Sequence, residues 1–188
     1  MGGSVLPGDT GGREVSRLPT GTGPLRPLAS SLYSARGGSG GVDAYELRRV
    51  TTESDWEAYH AIRERVLWKA RGRPPGEYNR NHPDDRAADH YPLLLLLDRH
   101  PIGALRVDVE GIAAWVRRVA IREEVQRCGH GRRMLELAME FARAKGCRLM
   151  QSAVDVTAVG FYRKLGFREV EGIDTAAGPQ MQRQLTGE

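Results

Sequence analysis

The 188-residue chain has very little cysteine: Cys128 and Cys147 are the only two. Two thiols do not make a disulfide framework, and neither has Cys or His neighbours at the spacing of a zinc site. A stapled secreted fold and a metal centre are therefore not expected, and a reducing, cytoplasmic setting is. Lysine is almost as scarce, represented by Lys69, Lys145 and Lys164 alone. Long apolar runs are missing as well. The run Leu93-Leu94-Leu95-Leu96-Leu97 falls far short of the roughly 20 residues that cross a bilayer, and reads instead as a buried strand. The first residues, Met1-Gly2-Gly3-Ser4-Val5-Leu6, carry neither a secretory apolar core nor the Ser or Thr that a myristoylation signal places sixth. Neither export nor a membrane partner is expected.

What is present points to one folded domain behind a leader. Hydrophobic residues make up 40% and charged residues 28%, close to the averages of soluble globular proteins. The net charge of +4 would suit nucleic acid if it were concentrated on one face. Instead the arginines interleave with acids, as in Arg63-Glu64-Arg65 and Arg122-Glu123-Glu124. That pattern describes a mixed solvated surface, so no nucleic-acid partner is expected. Glycines crowd the first forty-odd positions. Residues 1–42, rich in Gly, Pro, Ser and Thr and without a period of 2 or 3.6, bury too little apolar surface to offset the entropy of ordering and are read as a disordered leader. Residues 43–188 are read as the domain.

Within the domain, Tyr45 to Val50 alternates like a half-buried strand, and Thr52 with Asp55 offers cap chemistry for a helix over about 54–68. Arg71-Gly72-Arg73-Pro74-Pro75-Gly76 breaks regular structure. Strands are expected over about 92–98, 102–109 and 114–121, the first two forming a hairpin. The clearest helix runs over 131–145, where Met134, Leu135, Ala138, Phe141 and Ala142 recur at spacings of three and four, and Gly146 stops it. A strand over 148–154, a short helix over 157–165 and strands over 167–171 and 180–185 complete an α/β (α+β) order, a mixed sheet with helices against it.

The segment Gln126-Arg127-Cys128-Gly129-His130-Gly131, between the strand ending at Ile121 and the clearest helix, has the character of an anion site. Its glycines let the backbone approach phosphate oxygens, and the first-turn amides point at them with the helix dipole behind. Arg127, Arg132 and Arg133 add charge for a pyrophosphate or a further phosphate. The segment is not a P-loop, which requires a Gly-Lys-Ser/Thr ending. It is not the dinucleotide fingerprint either, because Met134 stands where a third small residue is needed.

Gln126-x-x-Gly129-x-Gly131 after a strand resembles the pyrophosphate motif of the GNAT acetyltransferases. The stretch Asp155-Val156-Thr157-Ala158-Val159-Gly160-Phe161-Tyr162-Arg163-Lys164-Leu165-Gly166-Phe167 is similar to that family's second signature, an Ala followed by Phe-Tyr-x-Lys-x-Gly-Phe. The resemblance covers about residues 45–185. It implies a largely antiparallel central sheet of six to seven strands flanked by about four helices, and acetyl-CoA as cosubstrate without a metal. It also implies a small-molecule or peptide amine as acceptor, with a homodimer as the expected assembly. By similarity, the backbone of Val119 and Ile121 pairs with the pantetheine arm and the amides from Arg127 to Arg132, across Cys128, Gly129, His130 and Gly131, hold the pyrophosphate.

The same resemblance places Tyr162 as general acid to the departing thiolate, the alternative being an aromatic ring that packs against the sheet beside Phe161 and Phe167. Asp155 stands where relatives have Asn or Gln near the pantetheine arm, and an ionised Asp accepts but does not donate. His130 would favour phosphate when protonated or be solvated. For the base that takes the amine proton, Asp108, Glu110, Glu123 and Glu124 are the candidates, and Asp84, Asp85 and Asp89 would attract a cationic amine. The alternative function is a CoA-binding sensor or interaction module that kept the fold and lost catalysis.

Overall fold

The computed structural model describes residues 44–176 and 178–185; the leader expected over 1–42 lies outside them. Seven strands form one sheet: β1 (Tyr45–Arg49), β2 (His90–Leu97), β3 (His100–Glu110), β4 (Ala113–Ile121), β5 (Leu149–Ala153), β6 (Arg168–Thr175) and β7 (Gly178–Gln184), in the spatial order β1-β2-β3-β4-β5-β7-β6. Every neighbouring pair is antiparallel except β4 with β5. A parallel pair needs a crossover, and α2 (His130–Ala144) supplies it. The other α-helices are α1 (Glu53–Leu67) and α3 (Val159–Lys164). The expectation of about four helices thus resolves into three among the described residues. The remaining helical turns, at Lys69–Arg71, Pro83–Arg86, Glu123–Val125 and Val156–Ala158, are short 3-10 segments.

The leucine run of β2 does not alternate with polar residues because both faces of the sheet are covered there. Leu93, Leu95 and Leu97 pack with Met134, Leu135, Ala138 and Ala142 of α2, while Leu94 and Leu96 pack with Tyr59, Ile62 and Leu67 of α1. The start of α1 is fixed by a reciprocal cap. The Asp55 amide donates to Thr52 Oγ1 at 3.1 Å and the Thr52 amide donates to Asp55 Oδ2 at 3.2 Å, an arrangement worth about 1 kcal/mol.

A bulge in β4 shapes everything that follows. Ala104 pairs with Ala120 but Arg106 pairs with Arg117, so β4 carries one extra residue, and Arg118 takes a φ of +56° within it. The consequence is visible in packing. Val116 and Ala120 share the same parity, yet Val116 joins the core under α2 and Ala120 the core under α1, because one inserted residue exchanges the faces of the strand.

Candidate active site

The β4 and β5 ladder is short, with Ala113, Ala114 and Trp115 paired to Leu149, Met150 and Gln151. Beyond that point the strands part, and the opening is one end of a cleft of about 820 Å³. Val119, Ala120 and Ile121 form one wall and Ser152, Ala153 and Val154 the other. Two parted parallel edges offer backbone groups to an extended ligand that lies between them as a strand would.

At the far end of β4 the Gly-rich loop turns into α2. Gln126 Nε2 donates to the Ile121 carbonyl at 2.9 Å, which ties the loop to the strand. Gly129 is the residue before the helix, in the left-handed region with a φ of +87°, and no side chain caps the helix. Gly131 and Arg132 line the cleft, and their amides belong to a first turn that has no intrahelical acceptors. A Cβ on Gly131 would meet Phe161 Cζ at 3.4 Å and Ile121 Cγ1 at 3.8 Å, so this position looks into the cleft between those two side chains.

Of the site residues expected from sequence, Val119, Ile121, Gln126, Arg127, Gly129, Gly131, Arg132, Asp155, Phe161 and Tyr162 all line this cleft. Cys128 and His130 do not. Cys128 is exposed beside the loop. His130, expected to be solvated or aimed at phosphate, is instead buried, its Nδ1 2.7 Å from the Tyr45 hydroxyl, so its side chain anchors α2 to β1. Arg132 pairs with Glu136 at 2.8 Å, and Arg133 turns away to Glu136 and Glu140.

Tyr162 is both packed and positioned. Its ring makes edge contacts with Phe161 and Phe167 at centroid distances of 5.4 and 5.2 Å, and its residue is only 5% exposed. The hydroxyl lies 3.4 Å from Ser152 Oγ, which donates at 3.1 Å to the Val116 carbonyl. Burial pushes the phenol pKa up, with a smaller opposing effect of the Ser152 contact, and keeps the group protonated at neutral pH. Asp155 caps the turn before α3, accepting from the Thr157 amide at 2.9 Å and hydroxyl at 2.6 Å. Those two bonds lower its pKa, so it stands in the cleft as an acceptor only.

The acids expected to serve as base or to attract a cation are engaged elsewhere. Asp85 is buried between Arg63 at 2.7 Å and Arg106 at 3.0 Å. Arg106 also holds Asp84 at 3.3 Å and Asp108 at 2.6 Å, and Arg117 reaches Asp108 at 3.0 Å. Burial alone would raise the Asp85 carboxyl, but Arg63 and Arg106 outweigh it and hold it below the usual range. Glu123 and Glu124 pair with Arg65 on the surface, Glu110 is exposed at the end of β3 and Asp89 is exposed. None of these lines the cleft. Sequence reasoning missed Ser152, Arg71, Arg73 and Arg118, all of which do. The adjacent arginines 117 and 118, which break the alternation of β4, were the available signal for the last of them.

Among the described residues no group of His, Cys, Asp and Glu could hold a metal ion, and no helix is long and apolar enough to cross a membrane. Comparison with known proteins agrees with the geometry. The acetyltransferase (GNAT) family profile matches residues 45–167. A Bacillus subtilis (strain 168) protein provisionally named an acetyltransferase is 24% identical over 122 residues, 65% of this chain and 82% of that one. The crystal structure of a Lactobacillus plantarum protein provisionally named an N-acetyltransferase superposes with a TM-score of 0.64 at 25% identity, covering 77% of this chain and 100% of that one. PaiA N-acetyltransferase from Thermoplasma acidophilum, solved in complex with coenzyme A, shares the fold with a TM-score of 0.61 at 18% identity, over 75% of this chain and 99% of that one. With the parted β4 and β5, the uncapped α2 and a family match that spans most of the described residues, this chain belongs to the GNAT family of acetyltransferases.

Proposed function

We propose that the protein is an acetyl-CoA-dependent N-acetyltransferase that moves an acetyl group directly to a primary amine. The observation that carries this reading is the continuity of one cleft from the uncapped first turn of α2, past the parted edges of β4 and β5, to Tyr162. The residues fit the cosubstrate. The Gly131 and Arg132 amides with the Arg127 and Arg132 side chains suit a pyrophosphate. Val119 and Ile121 suit an amide-bearing arm laid along β4. A structural neighbour was solved with coenzyme A.

Bound there, acetyl-CoA supplies an activated thioester. As the new C–N bond forms and the C–S bond breaks, Tyr162 donates its phenol proton to the sulfur and recovers one from solvent. The amine must shed its own proton first. Asp155 is the only carboxylate among the described cleft residues; its Oδ1 accepts both bonds from Thr157, its Oδ2 lies 3.9 Å from Arg71, and a carboxyl held below its usual range is a weak base, so we assign that proton to water in the cleft.

Isothermal titration of acetyl-CoA, followed by free-thiol release over a panel of amines with wild type and Tyr162→Phe, tests this. Binding with amine-dependent release that Tyr162→Phe slows is the expected result. Binding without release for any amine would reject the enzyme in favour of a CoA-binding module.

A further inference from the structure

The cleft is unevenly charged. Among the described residues five arginines line it, at positions 71, 73, 118, 127 and 132, against the single carboxylate of Asp155. Arg127 and Arg132 belong to the loop and first turn of α2, where phosphates are expected. The other three stand at a different wall, Arg71 and Arg73 just beyond α1 and Arg118 in the β4 bulge. Resting on the transferase reading above, we propose that the acceptor amine carries a carboxylate, bound by Arg118 together with Arg73 and Arg71.

Four observations converge on this. First, Arg118 is a non-glycine residue at φ +56°, a conformation uncommon for a long side chain outside turns and often kept where function requires it. The bulge lifts this residue out of the sheet ladder and turns it into the cleft. Second, among the described residues neither Arg118 nor Arg73 is paired with a carboxylate. Each instead lies with its guanidinium carbon 5.3 Å from the centroid of Trp68, and that indole is steadied by an edge contact with Tyr78 at 4.7 Å. The two cations are thus held by stacking while their donors stay available for a planar anion. Arg71 reaches Asp155 only at 3.9 Å between two half-exposed side chains.

Third, the acids that could have neutralised this wall are committed. Asp84, Asp85 and Asp108 serve Arg63, Arg106 and Arg117. The local field is accordingly positive: partial desolvation, then Arg63, Arg106 and Arg73, lower the pKa of Arg118. Fourth, the spacing is right for a small acceptor. Arg118 is two residues along β4 from Val116, at most roughly 7 Å between Cα atoms, and the Val116 carbonyl holds the Ser152 hydroxyl that neighbours Tyr162. A carboxylate on Arg118 leaves its amine beside the reacting end of the cleft. The same cations disfavour an ammonium there, which helps the acceptor reach its neutral, nucleophilic form without a strong base. A polyamine would meet like charge instead.

The test is free-thiol release with acetyl-CoA over L-α-amino acids, their primary amides, and the polyamines putrescine and spermidine, in wild type and Arg118→Gln. The proposal expects at least one amino acid to exceed its own amide by tenfold or more in kcat/KM. Arg118→Gln should then bring the acid down to the level of its amide, chiefly through KM, while acetyl-CoA affinity by calorimetry stays within about twofold. Equal or better turnover of amides or polyamines would overturn it while leaving the transferase reading intact. A fall in acetyl-CoA affinity in Arg118→Gln would overturn it by assigning Arg118 to the cosubstrate. Acetyl-CoA binding without release from any member would reject both readings together.

Discussion

The Ser152 hydroxyl oxygen lies 3.4 Å from the Tyr162 phenol oxygen and 3.1 Å from the Val116 carbonyl. One serine proton cannot serve two acceptors. The shorter contact to the carbonyl holds it, which leaves the phenol with its own proton to give. Tyr162→Phe keeps the ring contacts with Phe161 and Phe167 and removes only the proton, so kcat should fall by about 100-fold or more, the scale of a lost general acid. Ser152→Ala leaves the phenol in place but less well oriented, and should lower kcat by a smaller factor, on the order of three- to tenfold. Steady-state kinetics at saturating acetyl-CoA distinguish the two, and equal losses would show that the serine is not merely a positioning residue.

The buried phenol also fixes an expectation for pH. Burial raises its pKa above the ordinary tyrosine value, which is about 10. Tyr162 therefore stays protonated through the whole range in which an amine acceptor loses its proton. The rate should rise with pH as the acceptor becomes neutral and then level, with no descending limb below about pH 10. A pH profile of kcat that turns down near pH 8 in wild type but not in Tyr162→Phe would contradict a raised phenol.

The ion network under α1 predicts stability. Asp85 lies between Arg63 and Arg106 with side chains 2 to 5% exposed. Asp85→Asn leaves two buried guanidinium groups short of charge, and should cost roughly 3–5 kcal/mol and on the order of 10 °C in Tm. Because the Asp85 pKa is depressed in the folded protein, its contribution is complete above the unfolded value of about 4 and is lost as pH falls toward the folded value. Thermal melts at pH 7 and at progressively lower pH should show the gap between wild type and variant shrinking only below about pH 4.

That network marks the limit of what the sequence discloses. The Leu93 to Leu97 run, the Thr52 cap and the spacing of Gly129 and Gly131 are local signals, governed by periodicity, capping and backbone freedom, and they placed the strand, the helix start and the loop correctly. Asp85 and Arg63 are 22 positions apart, and Asp85 and Arg106 are 21 apart. Nothing in either segment says that they meet. Read locally, Asp84 and Asp85 are acids that would attract a cationic amine; folded, they are consumed by arginines. The β4 bulge was hidden for a related reason. A period of two assumes an uninterrupted pleat, and one inserted residue at Arg118 moves Ala120 to the other face. His130 misled because its position between two glycines suggested exposure, whereas the first turn of α2 carries it toward Tyr45.

Gly131 offers a test in which stability and binding should move in opposite directions. It lies within α2 rather than at a left-handed position, so alanine is compatible with its backbone and should maintain or improve folding, by up to about 1 kcal/mol. The added Cβ, however, would stand 3.4 Å from Phe161 Cζ and 3.8 Å from Ile121 Cγ1, in the passage where the amides of the first turn must approach a pyrophosphate. A ligand held by those amides cannot come as close once a methyl group fills the gap. Gly131→Ala should therefore raise the Kd for acetyl-CoA tenfold or more, about 1.4 kcal/mol, while its Tm in the absence of ligand is equal to or above that of wild type. Calorimetry and thermal denaturation of the same preparation separate the two effects. A variant that binds acetyl-CoA as wild type does would show that the first turn of α2 is not where the pyrophosphate sits.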